Sequence, residues 1–173
     1  MQFLPFEFCD SVAATVKDLS NFSELFAMSS NEYRIWGAVF RDHIAKRETI
    51  QVFITINSNS ECSYSMRTEK NWELISLDVL DKKYHQITHI KIGVSESIKN
   101  RIIDIKTIIK KIVPFVNIAH LQFWSSYEDC QCLTSSLAIP SVSKVYYFSR
   151  RKGYESFSKA LKLCNPSVKE VNC

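Results

Sequence analysis

The sequence predicts an α/β protein in which a three-helix segment and a β-hairpin precede a solenoid of β-α units with a short parallel sheet. Three observations predict it. Apolar residues recur at helical spacing up to about residue 45. Between residues 49 and 67 the period changes to that of a strand, broken by a turn composition. From residue 72 onward a spaced internal repeat takes over.

Residues 5–45 read as three short helices. Phe8, Val12 and Val16 recur at i, i+4 and i+8, with Ala13 filling the stripe. Asp18 or Ser20 can cap a second helix carrying Phe22, Leu25 and Phe26, and Ser30 or Asn31 can start a third. Its face would hold Ile35, Trp36, Val39, Phe40 and Ile44. Residues 1–47 form the first predicted domain and 48–173 the second. The hairpin opens the second domain: Ile50–Ile56 is rich in β-branched residues, 57–60 is Asn-Ser-Asn-Ser, and Cys62–Met66 alternates on the far side.

The repeat is the most informative feature. Pro114, Pro140 and Pro166 stand 26 residues apart twice over. Behind each runs one frame: Val116-x-x-Ala119-x-Leu121, Val142-x-x-Val145-x-Tyr147 and Val168-x-x-Val171-x-Cys173. An earlier copy, Ile87-x-x-Ile90-x-Ile92, lies 29 residues ahead of its successor. Helix-like stretches precede the frames at 73–82, 96–113, 128–138 and 153–163, the clearest presenting Ile98, Ile102, Ile105, Ile109 and Ile112 opposite Lys99, Lys106 and Lys110. Helix, proline turn and short strand is the logic of a leucine-rich-repeat solenoid, in which single units bury their apolar faces only by stacking. Proline suits each helix-to-strand junction because it cannot continue the helix. The predicted strands are 87–93, 118–124, 143–148 and 168–172, parallel because each crossover contains a helix.

Composition narrows the chemistry. The 22 Lys+Arg against 18 Asp+Glu leave +4, too small an excess to commit the chain to nucleic acid or an anionic membrane. Residues 1–47 sum to −1, so the remainder carries +5. Three glycines are too few for the phosphate-cradling loops of nucleotide enzymes. Cys130-x-Cys132 has no second pair to complete a zinc site, and His43, His85, His89 and His120 do not recur at ligand spacing, so neither metal nor cofactor is expected. No apolar run reaches membrane-span length, no signal peptide opens the chain, and the irregularly spaced cysteines read as reduced thiols of a cytoplasmic or nuclear protein. Cys9 paired with a histidine would make a small hydrolase, but nothing in the sequence supports that pair over a buried cysteine on the first helix.

The solenoid supplies a sharper candidate. Side chains alternate along a strand, so the positions between the inward residues face the open side of the sheet. Stacking the copies aligns His89, Ile118, Lys144 and Glu170 in one column and Lys91, His120, Tyr146 and Asn172 in the next, with Gln122 and Phe148 beside it. Apolar and aromatic groups on such a face are the anchors that binding surfaces use. The last strand is expected to leave an open edge, available for self-association or for extending the sheet with a partner.

Leu4-Pro5-x-Glu7-Phe8, Val12, Val16, Asp18-Leu19, Leu25, Ser29 or Ser30 and then Trp36 resembles a degenerate F-box, whose pattern runs from Leu-Pro through Asp-Leu to Ser-x-x-Trp. With the hairpin and proline-led repeats behind it, the whole chain is similar to the large nematode families of F-box and F-box-associated proteins. The resemblance implies a non-enzymatic, protein-binding subunit of a cullin-type ubiquitin ligase. Leu4, Pro5, Val12, Leu19, Leu25 and Trp36 would dock on a Skp-type adaptor, and the open repeat face would select a target protein. A stand-alone interaction or inhibitor protein without adaptor binding is the alternative.

Overall fold

The computed structural model describes residues 5–16, 34–56, 61–94, 103–124, 142–147, 159 and 170–172. The fold is mixed α/β, and the chain divides into two compact units: residues 1–48 with 81–85, and residues 49–80 with 86–173.

The first unit is built on α1 (Phe6–Thr15) and α2 (Arg34–Lys46). Pro5 occupies the N-cap position of α1, where a missing N–H costs nothing, and its carbonyl accepts from Phe8 and Cys9. Glu7 in the first turn complements the helix dipole. Cys9 and Ala13 of α1 and Val39 and Phe40 of α2 are buried together, with Val16 and Trp36 packed against them. His43 is also buried, one turn beyond Val39 and Phe40 on the same stripe. Ile35 and Ile44 are exposed, so the apolar face of α2 is narrower than the sequence pattern suggested. Residues 81–85 complete the unit: the Glu48 N–H donates to Tyr84 O, and the His43 and Tyr84 rings lie 5.3 Å apart.

The second unit is one mixed sheet with a helix. Its strands are β1 (Glu48–Ile56), β2 (Glu61–Thr68), β3 (Leu74–Ile75), β4 (His85–Val94), β5 (Ile103–Asp104), β6 (Val116–Phe123), β7 (Val142–Tyr147) and β8 (Glu170–Asn172). Their order is β3-β2-β1-β4-β6-β7-β8, with β5 also pairing to β2. The β1–β2 hairpin is antiparallel, with Ile50 opposite Thr68 and Ile56 opposite Cys62. The pairs β4–β6, β6–β7 and β7–β8 are all parallel, as the frames require. Strict alternation in β1 buries Ile50, Val52, Ile54 and Ile56 on one face. On that face they join Ile87, Ile90, Ile92, Leu121, Phe123 and Val145 in one core with Ile105, Ile108, Ile109 and Ile112 of α3 (Ile105–Ile112). The spacing i, i+3, i+4, i+7 turns all four isoleucines inward and leaves Lys106, Lys110 and Lys111 in solvent. Pro114 lies in the single 3₁₀ turn, Val113–Phe115, that leads from α3 into β6.

Several expectations need correction. Of the helix foreseen over 96–113, residues 105–112 are helical and 103–104 are not, while Ile98, Lys99 and Ile102 lie outside the described residues. Asp104 is the N-cap of this helix, accepting from the Thr107 N–H at 3.0 Å, and the two residues before the helix pair with β2 as a strand. The helix foreseen over 73–82 is instead β3 followed by a 3₁₀ turn, Leu77–Val79, which Ser76 caps. Four apolar residues over so short a span do not distinguish a helix, and here Leu74 and Val79 remain 69% and 61% exposed. Strand β6 starts two residues earlier than expected, and β8 is described from Glu170. The second helix near 18–26, the stretches 128–138 and 153–163 apart from helical Lys159, Pro140, Pro166 and Cys130, Cys132, Cys164 and Cys173 lie outside the described residues.

Candidate functional site

The face of the sheet opposite α3 carries the polar and aromatic residues that alternation turns away from the core. Its centre is the cross-strand pair His89 and His120. They are Cα partners on β4 and β6, with ring centroids 5.0 Å apart and planes at 84°. The Tyr146 ring stands 5.8 Å from that of His120. Lys144 is the register partner of His120, and Glu170 that of Lys144.

One column therefore reads His89, His120, Lys144, Glu170, and the next Lys91, Gln122, Tyr146, Asn172. The expected columns placed Ile118 beside His89 and His120 beside Lys91. The register shifts between Ile87 and His89, where β6 takes four steps against two in β4. A further shift at Ala119/His120 adjusts β7. A displacement of two residues between β4 and β6 keeps the alternation of faces, so it is the partners that change. Phe148 lies outside the described residues, as do Leu4, Leu19 and Leu25 of the first unit.

Beyond the expected residues, the hairpin contributes its own half of the face. Glu69, just past the end of β2, receives Thr88 Oγ1 at 2.7 Å, His89 Nδ1 at 2.9 Å and Gln51 Nε2 at 3.3 Å. Burial pushes the Glu69 carboxyl up, but hydrogen bonds from Thr88, Thr49, His89 and Gln51 outweigh it and hold the carboxyl below its ordinary range. Alongside runs a cation–aromatic array across β2, β1 and β4. Arg67 lies over Trp72 at 5.7 Å, Trp72 meets the Phe53 ring edge-on at 6.0 Å, and Lys91 lies over Phe53 at 5.0 Å. Trp72 adopts φ 60°, a left-handed conformation uncommon for a bulky residue, and it is that turn which lays the indole against Arg67 and Phe53. Sequence reasoning missed Gln51, Phe53, Arg67, Glu69, Trp72 and Thr88. The alternation in β1 that buries Val52 and Ile54 was the available signal for the first two.

The same setting bears on the charge of His120. Burial, then the neighbouring His89 and Lys144, push its pKa below the ordinary histidine value, with Glu69 opposing.

In the first unit, Pro5, Phe6 and Phe8 are exposed at the start of α1, Phe6 at 55%. Phe8 meets Trp36 edge-on at 6.2 Å, while Val12 and Trp36 are half-buried. Cys9 is wholly buried, and burial pushes its thiol up; the equally buried Cys62 is pushed up to about 11 by burial and by the charge of Asp104. A core thiol so placed is a poor nucleophile. Among the described residues no cluster of three or more His, Cys, Asp or Glu is arranged to hold a metal ion. No described helix is long and apolar enough to cross a membrane. Compared with protein-family models, with curated proteins and with solved structures, the chain gives no match.

Proposed function

We propose that the chain is a non-enzymatic protein-interaction module that holds a target protein on the open face of its sheet. The observation that carries this reading is the continuous layer from Arg67 and Trp72 through Phe53, Lys91 and His89 to His120 and Tyr146. Half-buried aromatic rings flanked by long cations are the anchors from which protein-binding surfaces are built. Three consecutive parallel pairings, with α3 and a proline turn between β4 and β6, support a leucine-rich-repeat-like arrangement of these units.

In the fuller form of this reading the chain is a substrate-recognition subunit of a cullin-type ubiquitin ligase, with the F-box-like helices on a Skp-type adaptor. The exposed Pro5, Phe6 and Phe8 at the start of α1 support an apolar docking surface there. The outer position of β8 in the described sheet order supports its use for extending the sheet. Co-expression with a Skp-type adaptor tests the first unit: co-purification is expected, and its loss in Phe6→Asp/Phe8→Asp. Capture from cell extract tests the second, with a captured set lost in Trp72→Ala/Tyr146→Ala. An adaptor that never co-purifies would leave a stand-alone interaction protein, and a captured set indifferent to the face variants would remove the target-binding reading.

A further inference from the structure

We propose that His89 and His120 form a two-histidine site for a divalent transition-metal ion of the zinc class, with Glu69 orienting His89 from behind. The site goes beyond the interaction reading above, because it needs no partner protein.

Sheet register makes the pair. His89 on β4 and His120 on β6 are Cα partners on neighbouring parallel strands, so their side chains leave the same face of the sheet about 4.8 Å apart. Their ring centroids are 5.0 Å apart. Two imidazoles on one tetrahedral ion, each bonded at about 2.0–2.1 Å, also hold their centroids about 5 Å apart. The pair therefore has the spacing that a shared ion requires. The two residues lie far apart along the chain, which is why ligand spacing did not announce them in the sequence.

Glu69 prepares the first ligand. A carboxylate only accepts, so at 2.9 Å it takes the Nδ1–H of a neutral His89 ring and leaves the lone pair on Nε2. A carboxylate behind a ligating histidine fixes ring and tautomer and makes the imidazole a better donor. Thr88 Oγ1 at 2.7 Å and Gln51 Nε2 at 3.3 Å hold Glu69 in place. The second ligand has freedom to turn. Among the described residues the His120 ring meets the rings of His89 and Tyr146, and rotation about its last side-chain bond is a soft torsion that can aim a nitrogen at the ion. The charge of Glu69 beside the pair favours a cation, and Lys144 on the far side of His120 stands opposite Glu170. The His89 side chain remains 27% exposed, so water can reach the open coordination positions. Imidazole donors suit zinc, nickel or copper, whereas magnesium and calcium take oxygen. Two protein ligands fall short of a closed structural site, so the ion is an exchangeable one.

The test uses the untagged full chain, stripped with EDTA and titrated with zinc chloride at pH 7.5, followed by calorimetry and by NMR of the histidine rings. One ion per chain should bind saturably, and the ring resonances of His89 and His120 should shift together while those of His43 and His85 stay. That readout comes from the unsubstituted chain, so it does not depend on folding of any variant. His89→Ala and His120→Ala should each abolish saturable binding, and Glu69→Gln should weaken it roughly 10–100-fold. Excess magnesium should leave the zinc bound. Zinc that shifts neither ring, that shifts one without the other, or that magnesium displaces overturns the proposal. So does binding that persists in His89→Ala/His120→Ala, and its loss in Cys130→Ser/Cys132→Ser would then place the ion on the cysteine pair instead.

Discussion

Arg47 Nη1 donates to the carbonyl of Val16 at 2.7 Å, across 31 residues of chain. Its second amino group reaches Ala13 O at 3.1 Å. The last turn of α1 has no basic residue of its own, so the guanidinium that complements its carbonyls comes from the end of α2.

Arg47→Ala should therefore loosen the first unit. Two charge-assisted hydrogen bonds at a half-buried site correspond to about 1–3 kcal/mol, read as a lower denaturation midpoint. Lysine, which lacks the forked donor, should recover only part of the loss. A midpoint unchanged in the alanine variant would mean that water satisfies these carbonyls equally well.

Ile109→Ala should destabilise the second unit by about 2–5 kcal/mol, because its side chain fills the space between α3 and the sheet. Lys110→Ala, one position on and exposed, is the control and should change stability by less than about 0.5 kcal/mol.

Acid should weaken the first unit through Asp10. Its carboxylate accepts from Lys83 at 2.7 Å and His43 at 2.9 Å, and these bonds, Lys83 first, hold it below the ordinary aspartate value against the effect of burial. A depressed folded pKa gives stability that is fully present above the unfolded value of 3.8 and is lost as pH falls through the folded one. Asp10→Asn should accordingly be less stable than the parent at neutral pH. The two denaturation midpoints should converge as pH falls below 3.8 and on through the lowered folded value.

Site-resolved thiol labelling at pH 8 should leave Cys9 and Cys62 unmodified in the folded protein and modify both in denaturant. Labelling of native Cys9 faster than Cys62 would revive a nucleophilic role for it.

At Trp72, the backbone and the side chain make separate contributions. The φ of 60° favours glycine over alanine by about 1–2 kcal/mol, whereas both substitutions remove the stack on Arg67 and Phe53. Trp72→Gly should thus be the more stable of the two variants, while both lose the indole's contacts with Arg67 and Phe53.

The parallel strands were legible because Ile87, Ile90 and Ile92, or Val145 in its own frame, must all turn inward, and that spacing recurs. Their partners were less so. A ladder irregularity inserts residues without breaking the alternation, so His120 rather than Ile118 stands opposite His89, and nothing in the local sequence marks the extra steps. Glu69 was invisible for a different reason. It acts through Thr88 and His89, about 20 positions away, and only the sheet order brings them together. The 73–82 stretch misled because Leu74, Leu77, Val79 and Leu80 mimic a helical stripe, whereas the backbone there is set by pairing with β2 and by the Ser76 cap.

The two ends of the described sheet have different capacities for growth. At one end β2 is flanked by β3 and β5, each two residues long, stubs too short to template another full strand. At the other, β6, β7 and β8 follow one another in the same direction. Lengthening such an architecture is thus a one-way operation. A grafted helix–strand unit placed beyond β8 would find a matching ladder and would widen the open face by one more row. The same unit inserted ahead of β1 would have to displace the hairpin that supplies Arg67, Glu69 and Trp72. The hairpin end fixes what the face is, and the parallel end sets how wide it becomes.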